Sequence, residues 1–138
     1  MPVKKVALDE VAPNRRRGGD LRVLLGPATV GATSGFLGVL TLAPGEYVSE
    51  HLHPYSEEFL YVVAGTASVR VDGEEVSVGA GTGVLVPIGA RHRVTNRTGE
   101  PVTAVFHLCP LAPRPDLGHV DTEPQPGTGE PLTVGGTP

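Results

Sequence analysis

Glycine or proline interrupts this chain so often that a helix of ordinary length has almost nowhere to form. The 138 residues include 19 glycines and 14 prolines, and between them lie short apolar runs such as Phe36 to Leu42 and Val102 to Cys109. Runs of this length bounded by turn-formers read as strands. Asp72-Gly73, between Thr66 to Val71 and Glu74 to Val78, is a hairpin signal, because both residues accept the left-handed backbone of a two-residue turn. Ala67, Val69 and Val71 share one face opposite Ser68 and Arg70, the pattern of a sheet with one wetted side. The same reading gives strands at Leu21 to Leu25, Thr29 to Ala32, Tyr47 to His53, Glu58 to Ala64, Val84 to Pro87 and His92 to Arg97. Ten or so short strands at this spacing imply an all-β sandwich or barrel.

The length suits one domain with a proper core. Residues 1–20 read as an extended arm outside the sheet, residues 21–109 as the barrel, and residues 110–138, which hold seven of the prolines, as a tail. Within that tail Leu111 to Val120 has enough apolar character to pack on the barrel or a neighbouring subunit, whereas Glu123 to Pro138 has linker composition and is expected to stay mobile. Arg15-Arg16-Arg17 reads as a solvated loop or as an anchor for an acidic substrate or partner. A formal charge of −4 and a pI near 5.7 give no general attraction to nucleic acid or anionic membranes. The lone Cys109 excludes an intramolecular disulfide, and no apolar run approaches the roughly 20 residues of a membrane span. Met1 to Arg17 lacks the apolar core of a secretory leader, so the expected location is cytoplasmic.

The chemistry concentrates between Gly45 and Gly65. Residues two apart on a strand point the same way, so His51 and His53 face one interior with imidazoles able to grip a metal. Pro54 breaks the strand, the chain turns, and Glu57-Glu58 opens the next apolar run, returning a carboxylate towards the histidines. Either glutamate can be presented, and the phase shared with Leu60 and Val62 favours Glu58. A second segment, Gly81 to Asn96, supplies His92 after a strand and a Pro87/Gly89 bend. Three histidines and an acid make a metal site.

Register adds a candidate. If Thr98 to Pro101 is the loop of a hairpin joining the last two strands, His107 lies opposite His92 and enters the cavity as a fourth nitrogen ligand or a base. A slip by one residue turns it outwards. Cys109 reads as a small buried or rim residue, Tyr47, Tyr55 and Tyr61 as half-buried packing or a cavity mouth, and His119 as a tail residue without a catalytic part.

The two segments also carry a resemblance. The first runs glycine, five residues, His-x-His, four residues, glutamate, six residues, glycine; the second runs glycine, five residues, Pro-x-Gly, two residues, histidine, three residues, asparagine. Both resemble the paired motifs of the cupin superfamily at every position. The resemblance implies a small antiparallel barrel, or double-sheet jelly roll, holding a metal through residues matching His51, His53, Glu58 and His92; the spacing to Gly65 again favours Glu58. The run from Arg16 to about Glu123, including SGFLGVLTLAPGE, EHLHPYSEEFLYVVAGT, LVPIGARHRVTN and VFHLCPLAPRPDLGHVDTE, is similar to the small single-domain cupin cyclases of aromatic polyketide pathways, the tetracenomycin and resistomycin types. That likeness implies a homodimeric enzyme working beside a type II polyketide synthase, with zinc as the metal and iron, nickel or manganese as alternatives. Glu58 and His107 are then the candidates for the catalytic base.

Two rivals share the scaffold, since one fold carries many chemistries. A cupin dioxygenase would use a redox metal and dioxygen on a phenolic or diketone substrate. A non-catalytic cupin would hold a small ligand. Neither redox chemistry nor an attached DNA-binding region is called for by the residues.

Overall fold

From Phe36 to Leu42 buried residues alternate strictly with half-buried ones, and they do so again from Val102 to Cys109. A period of two gives a strand one face for the interior, and two sheets built this way close on each other. The computed structural model describes residues 2–127. Among them, ten strands form two five-stranded antiparallel sheets. The first is ordered β1 (Asp20–Leu25), β2 (Phe36–Leu42), β9 (Val102–Cys109), β4 (Glu57–Ala64), β7 (Gly83–Val86), and the second β10 (Val120–Asp121), β3 (Tyr47–Leu52), β8 (His92–Thr95), β5 (Thr66–Val71), β6 (Glu74–Gly79). Leu40, Leu42, Leu60, Val62, Ala104 and Phe106 from the first sheet meet Val48, Ala67, Val69 and Val94 from the second in one core. Burying each of the larger side chains contributes about 1.5–3 kcal/mol.

The Asp72-Gly73 hairpin forms as expected, with positive φ at both residues joining β5 to β6. Thr29 to Ala32 is not a strand. Pro27 opens a single helical turn, α1 (Pro27–Val30), and Gly31, in the left-handed conformation, ends it; proline at the first helical position and glycine just past the last are what such a turn selects.

The connection between β8 and β9 also differs from the expected hairpin. Asn96 donates from Nδ2 to Leu42 O (3.0 Å) and Glu100 O (2.7 Å) and accepts from Thr98 N (2.9 Å), while its backbone pairs with Gly45 and Glu46. This fully buried amide ties down the point where the chain leaves one sheet for the other. β8 therefore pairs with β3 and β5, and β9 with β2 and β4.

The end segments are tied to the sheets. Asn14 bridges Leu21, and the Arg22 guanidinium donates to Leu8 O and Val11 O. Leu111 packs on the core, and Val120–Asp121 adds an edge strand beside β3. Glu123, expected to be mobile, is pinned instead: its carboxylate accepts from Glu50 N and pairs with Arg93 at 3.3 Å. Gly127 N donates to Arg16 O. The remainder of the expected mobile tail, residues 128–138, lies outside the described residues. No helix among the described residues is long and apolar enough to cross a membrane.

Candidate metal centre

A bulge in β3 sets the phase of the site. The register with β8 shifts between Val48 and His51, so that Val48, Ser49, His51 and His53 are all buried while Glu50 and Leu52 are only half-buried. Bulges re-aim side chains in this way beside many functional sites. His92, at the start of β8, is the register partner of His51. His53 follows β3 directly, and Glu58 faces them from β4 of the other sheet. The three histidines and Glu58 are each at most 9% exposed. Glu57 is only half-buried, so the phase argument selected the glutamate that points inward.

The three imidazoles converge. Ring centroids lie 4.8 Å apart for His51–His53, 4.4 Å for His51–His92 and 5.1 Å for His53–His92, and one nitrogen from each lies within 4.8 Å of the other two. Backbone carbonyls fix which nitrogen that is. His51 Nδ1 is 2.7 Å from Ser49 O, His53 Nδ1 2.9 Å from Gly118 O and His92 Nδ1 3.0 Å from Ala90 O. A carbonyl only accepts, so each Nδ1 carries the proton and each Nε2 presents a lone pair. Buried Nε2 of His53 and His92 have no hydrogen-bond partner. Glu58 Oε2 lies 3.3 Å from His92 Nε2. Orphaned lone pairs with carbonyl-anchored tautomers are the arrangement a first-row divalent ion requires of its imidazole ligands, and the donor set fits one.

Electrostatics keep two of the rings neutral. Burial, then the neighbouring imidazoles, push His51 well below the ordinary imidazole range. Burial lowers His53 to about 4, with Glu58 opposing it. Burial also penalises charge on His92, but the Glu58 carboxylate outweighs it and the net shift is upward. Glu58 itself is held low, its burial outweighed by His92 and His53.

A pH dependence of the metal-free protein follows. Between about pH 6.5 and pH 4 the unfolded chain protonates His51 and His53 while the folded chain does not, so stability falls with pH through that window. Each contributes a slope of about 1.4 kcal/mol per pH unit. His92 has the opposite sign: it adds stability that is fully present below its unfolded value and is lost as pH rises through its folded one, so it acts above about pH 6.5 and leaves the slope inside that window unchanged. Denaturant midpoints of the metal-free protein should therefore drop from pH 7 to pH 5; a flat or rising series would contradict neutral burial of the pair.

The cavity around these groups is walled by Leu21, Leu40, Val48, Leu60, Val94, Phe106 and Leu108, and its free volume is about 30 Å³. That space holds an ion and a water or two. Arg17, which the sequence left between a solvated loop and an anchor, also lines it and is only 6% exposed. Asp121 Oδ1 accepts from its Nε at 3.1 Å. His119, read as a bystander, is buried beside this pair, and its imidazole is lowered to about 4 by burial and then by Arg17.

His107 is not in the cavity. It pairs with Phe59 and Leu37, not with His92, and belongs to the half-buried set of β9, with its ring 6.0 Å from that of Phe59 on the outer face. Since β8 and β9 lie in different sheets, the register that aimed it inward does not exist, and it is neither ligand nor base. Cys109 shares that outer phase. Tyr55 and Tyr61 are exposed, while half-buried Tyr47 carries the Arg93 guanidinium 4.1 Å above its ring.

Comparison with known proteins agrees with this geometry. The cupin domain family matches residues 38–108. The chain is 57% identical over 123 residues to the polyketide synthase protein CurC of Streptomyces cyaneus, covering 89% of this chain and 80% of that one. It is 53% identical over 133 residues to the tetracenomycin polyketide synthase protein TcmJ of Streptomyces glaucescens, covering 96% and 89%, and 59% identical over 118 residues to the protein SchB of Streptomyces halstedii, covering 86% of each. Among solved structures, oxalate decarboxylase of Lactobacillus farciminis superposes with a TM-score of 0.71 at 22% identity, over 83% of this chain and 34% of that one, which speaks for the fold alone. The chain belongs to the cupin family, and its likeness to two polyketide synthase proteins of Streptomyces spans 89% and 96% of its length.

Proposed function

We propose that the protein is a metal-dependent polyketide cyclase that closes rings of a poly-β-ketone by intramolecular aldol condensation and aromatisation. The observation that carries this reading is three imidazoles anchored through Nδ1, so that each turns Nε2 to the cavity, beside a buried carboxylate, in a chain 53% and 57% identical to two polyketide synthase proteins. His51, His53 and His92 would hold the metal, which we take to be zinc, with Glu58 as base or fourth ligand. A bound divalent ion supplies Lewis acidity towards a carbonyl oxygen where negative charge develops.

The remaining work falls to the chain. A carbon between two carbonyls is already acidic, and the Glu58 carboxylate takes its proton. That carbon bonds to a second ketone carbon, whose oxygen becomes a hydroxyl. Glu58 gives its proton to that oxygen, then takes a second proton from the same carbon and delivers it to the departing hydroxyl, so that one water leaves and a double bond remains in the ring, with no change of oxidation state. The apolar walls hold the reacting carbons together and exclude bulk water. At about 30 Å³ the cavity has to widen when substrate enters.

Supplying the metal-loaded protein with the product of a ketosynthase should change the ring pattern of what accumulates. Glu58→Gln should slow that change by about 10²–10⁴-fold. An unaltered ring pattern with metal bound would overturn the reading, and oxygen uptake with a phenolic substrate would favour the dioxygenase instead.

A further inference from the structure

The triple arginine of the N-terminal arm has one member turned into the molecule. Arg17 O accepts from Ser49 N at 2.8 Å, anchoring its backbone beside the β3 bulge. Its guanidinium lines the same cavity as His51, His53, Glu58 and His92. Asp121 neutralises it from β10, where Asp121 is the register partner of His51. Nε donates to Asp121, while Nη2 is buried without a hydrogen-bond partner. An unpaired donor on a buried cation is costly to keep, and burial holds the guanidinium below its ordinary range despite Asp121.

The charges say what would satisfy it. With the triad in its ligating form, neutral and presenting Nε2, Arg17 and Asp121 cancel and Glu58 carries one negative charge. With a divalent ion at the triad the cavity keeps one net positive charge. The missing group is thus a monoanion with an acceptor oxygen. A guanidinium suits such an oxygen because its donors lie in a fixed plane.

Building on the cyclase reading, we propose that Arg17 is a substrate-binding residue whose free Nη2 donates to an oxygen of an enolised 1,3-diketone held beside the histidine triad. Arg17 then selects the enolate over the neutral ketone. It also ties substrate to the ion pair between Arg17 of the arm and Asp121 of the tail strand.

The test uses the full chain loaded with cobalt(II), whose visible spectrum reports ligands entering the site. Acetylacetone, which binds as a monoanion, is titrated beside imidazole, a neutral ligand of similar size. Arg17→Gln should retain one cobalt per chain, weaken acetylacetone by about 10- to 100-fold and leave imidazole within about 2-fold; Arg17→Lys should fall between. Equal weakening of both probes, no weakening of either, or no binding of acetylacetone to the parent protein overturns the proposal. Should Arg17→Gln fail to fold, Asp121→Asn decides: removing the acid leaves more positive charge and should tighten acetylacetone, whereas a purely structural ion pair predicts weaker binding of both probes. A parent protein that binds acetylacetone yet leaves a polyketide unchanged would sink the cyclase reading and not this one.

Discussion

Changing His51 and His92 together to alanine should abolish stoichiometric metal binding and the stabilisation that comes with it. The two residues face each other across β3 and β8, so the double change removes one side of the cluster and leaves His53 alone with Glu58. A ligand that binds only the folded state stabilises it by about 4 kcal/mol at a thousandfold excess over Kd. The parent protein should show a rise of that order when zinc is added, and the variant none. The metal-free comparison should look different. There the parent carries buried imidazole nitrogens with no partner, each costing about 1–3 kcal/mol. Alanine removes that cost for His92 but opens space at two buried positions and takes away the imidazole that holds the buried Glu58 carboxylate, so the metal-free variant should unfold below the metal-free parent. Denaturant titrations with and without zinc, beside elemental analysis, give both numbers. A variant that still holds one ion per chain, or gains as much from zinc as the parent, would remove the metal centre from the account.

The contrast between His92 and His107 explains which parts of the site the sequence could carry. His51, His53 and Glu58 were legible because their orientation depends on local alternation, and the bulge between Val48 and His51 keeps that alternation pointing inward from His51 on. His92 needed only a strand start after the Pro87/Gly89 bend. His107 needed the pairing of two whole strands, and pairing is a long-range property. Its true neighbours, Leu37 and Phe59, lie far off in the chain, and nothing near Asn96 announces that the backbone crosses between sheets there.

Arg17 shows the same limit from the other side. Three consecutive arginines look alike in sequence. What separates Arg17 from its neighbours is an aspartate 104 residues away, on a strand of two residues in the proline-rich tail. The α1 turn, by contrast, was in principle readable: Gly26-Pro27 and Gly31 mark its two ends, and the β-branched Thr29 and Val30 between them drew the strand reading instead.

The second large effect lies in the wall behind the site. Gly38→Ala should destabilise the protein by about 3 kcal/mol, at the upper end of overpacking costs. Gly38 faces inward from β2 directly opposite Phe106 on β9. A Cβ built there would stand 2.3 Å from Phe106 Cζ and 2.5 Å from the backbone oxygen of Arg22. Away from Gly38 the ring meets Phe36, edge-on at a centroid distance of 6.3 Å, and the cavity beside the histidines. Retreat into the cavity would narrow the 30 Å³ it holds. Leucine at position 106 lacks the outer ring atoms, so Phe106→Leu should recover part of the loss when combined with Gly38→Ala, giving a favourable coupling of more than about 0.5 kcal/mol. Recovery should stay incomplete, since Arg22 O belongs to the backbone of β1 and moves only with its strand. Chemical denaturation of the two single variants and the double variant measures the cycle. If Gly38→Ala unfolds at the parent midpoint, the wall is loose enough to accept a methyl group, and the packing that holds the histidines against it has been misjudged.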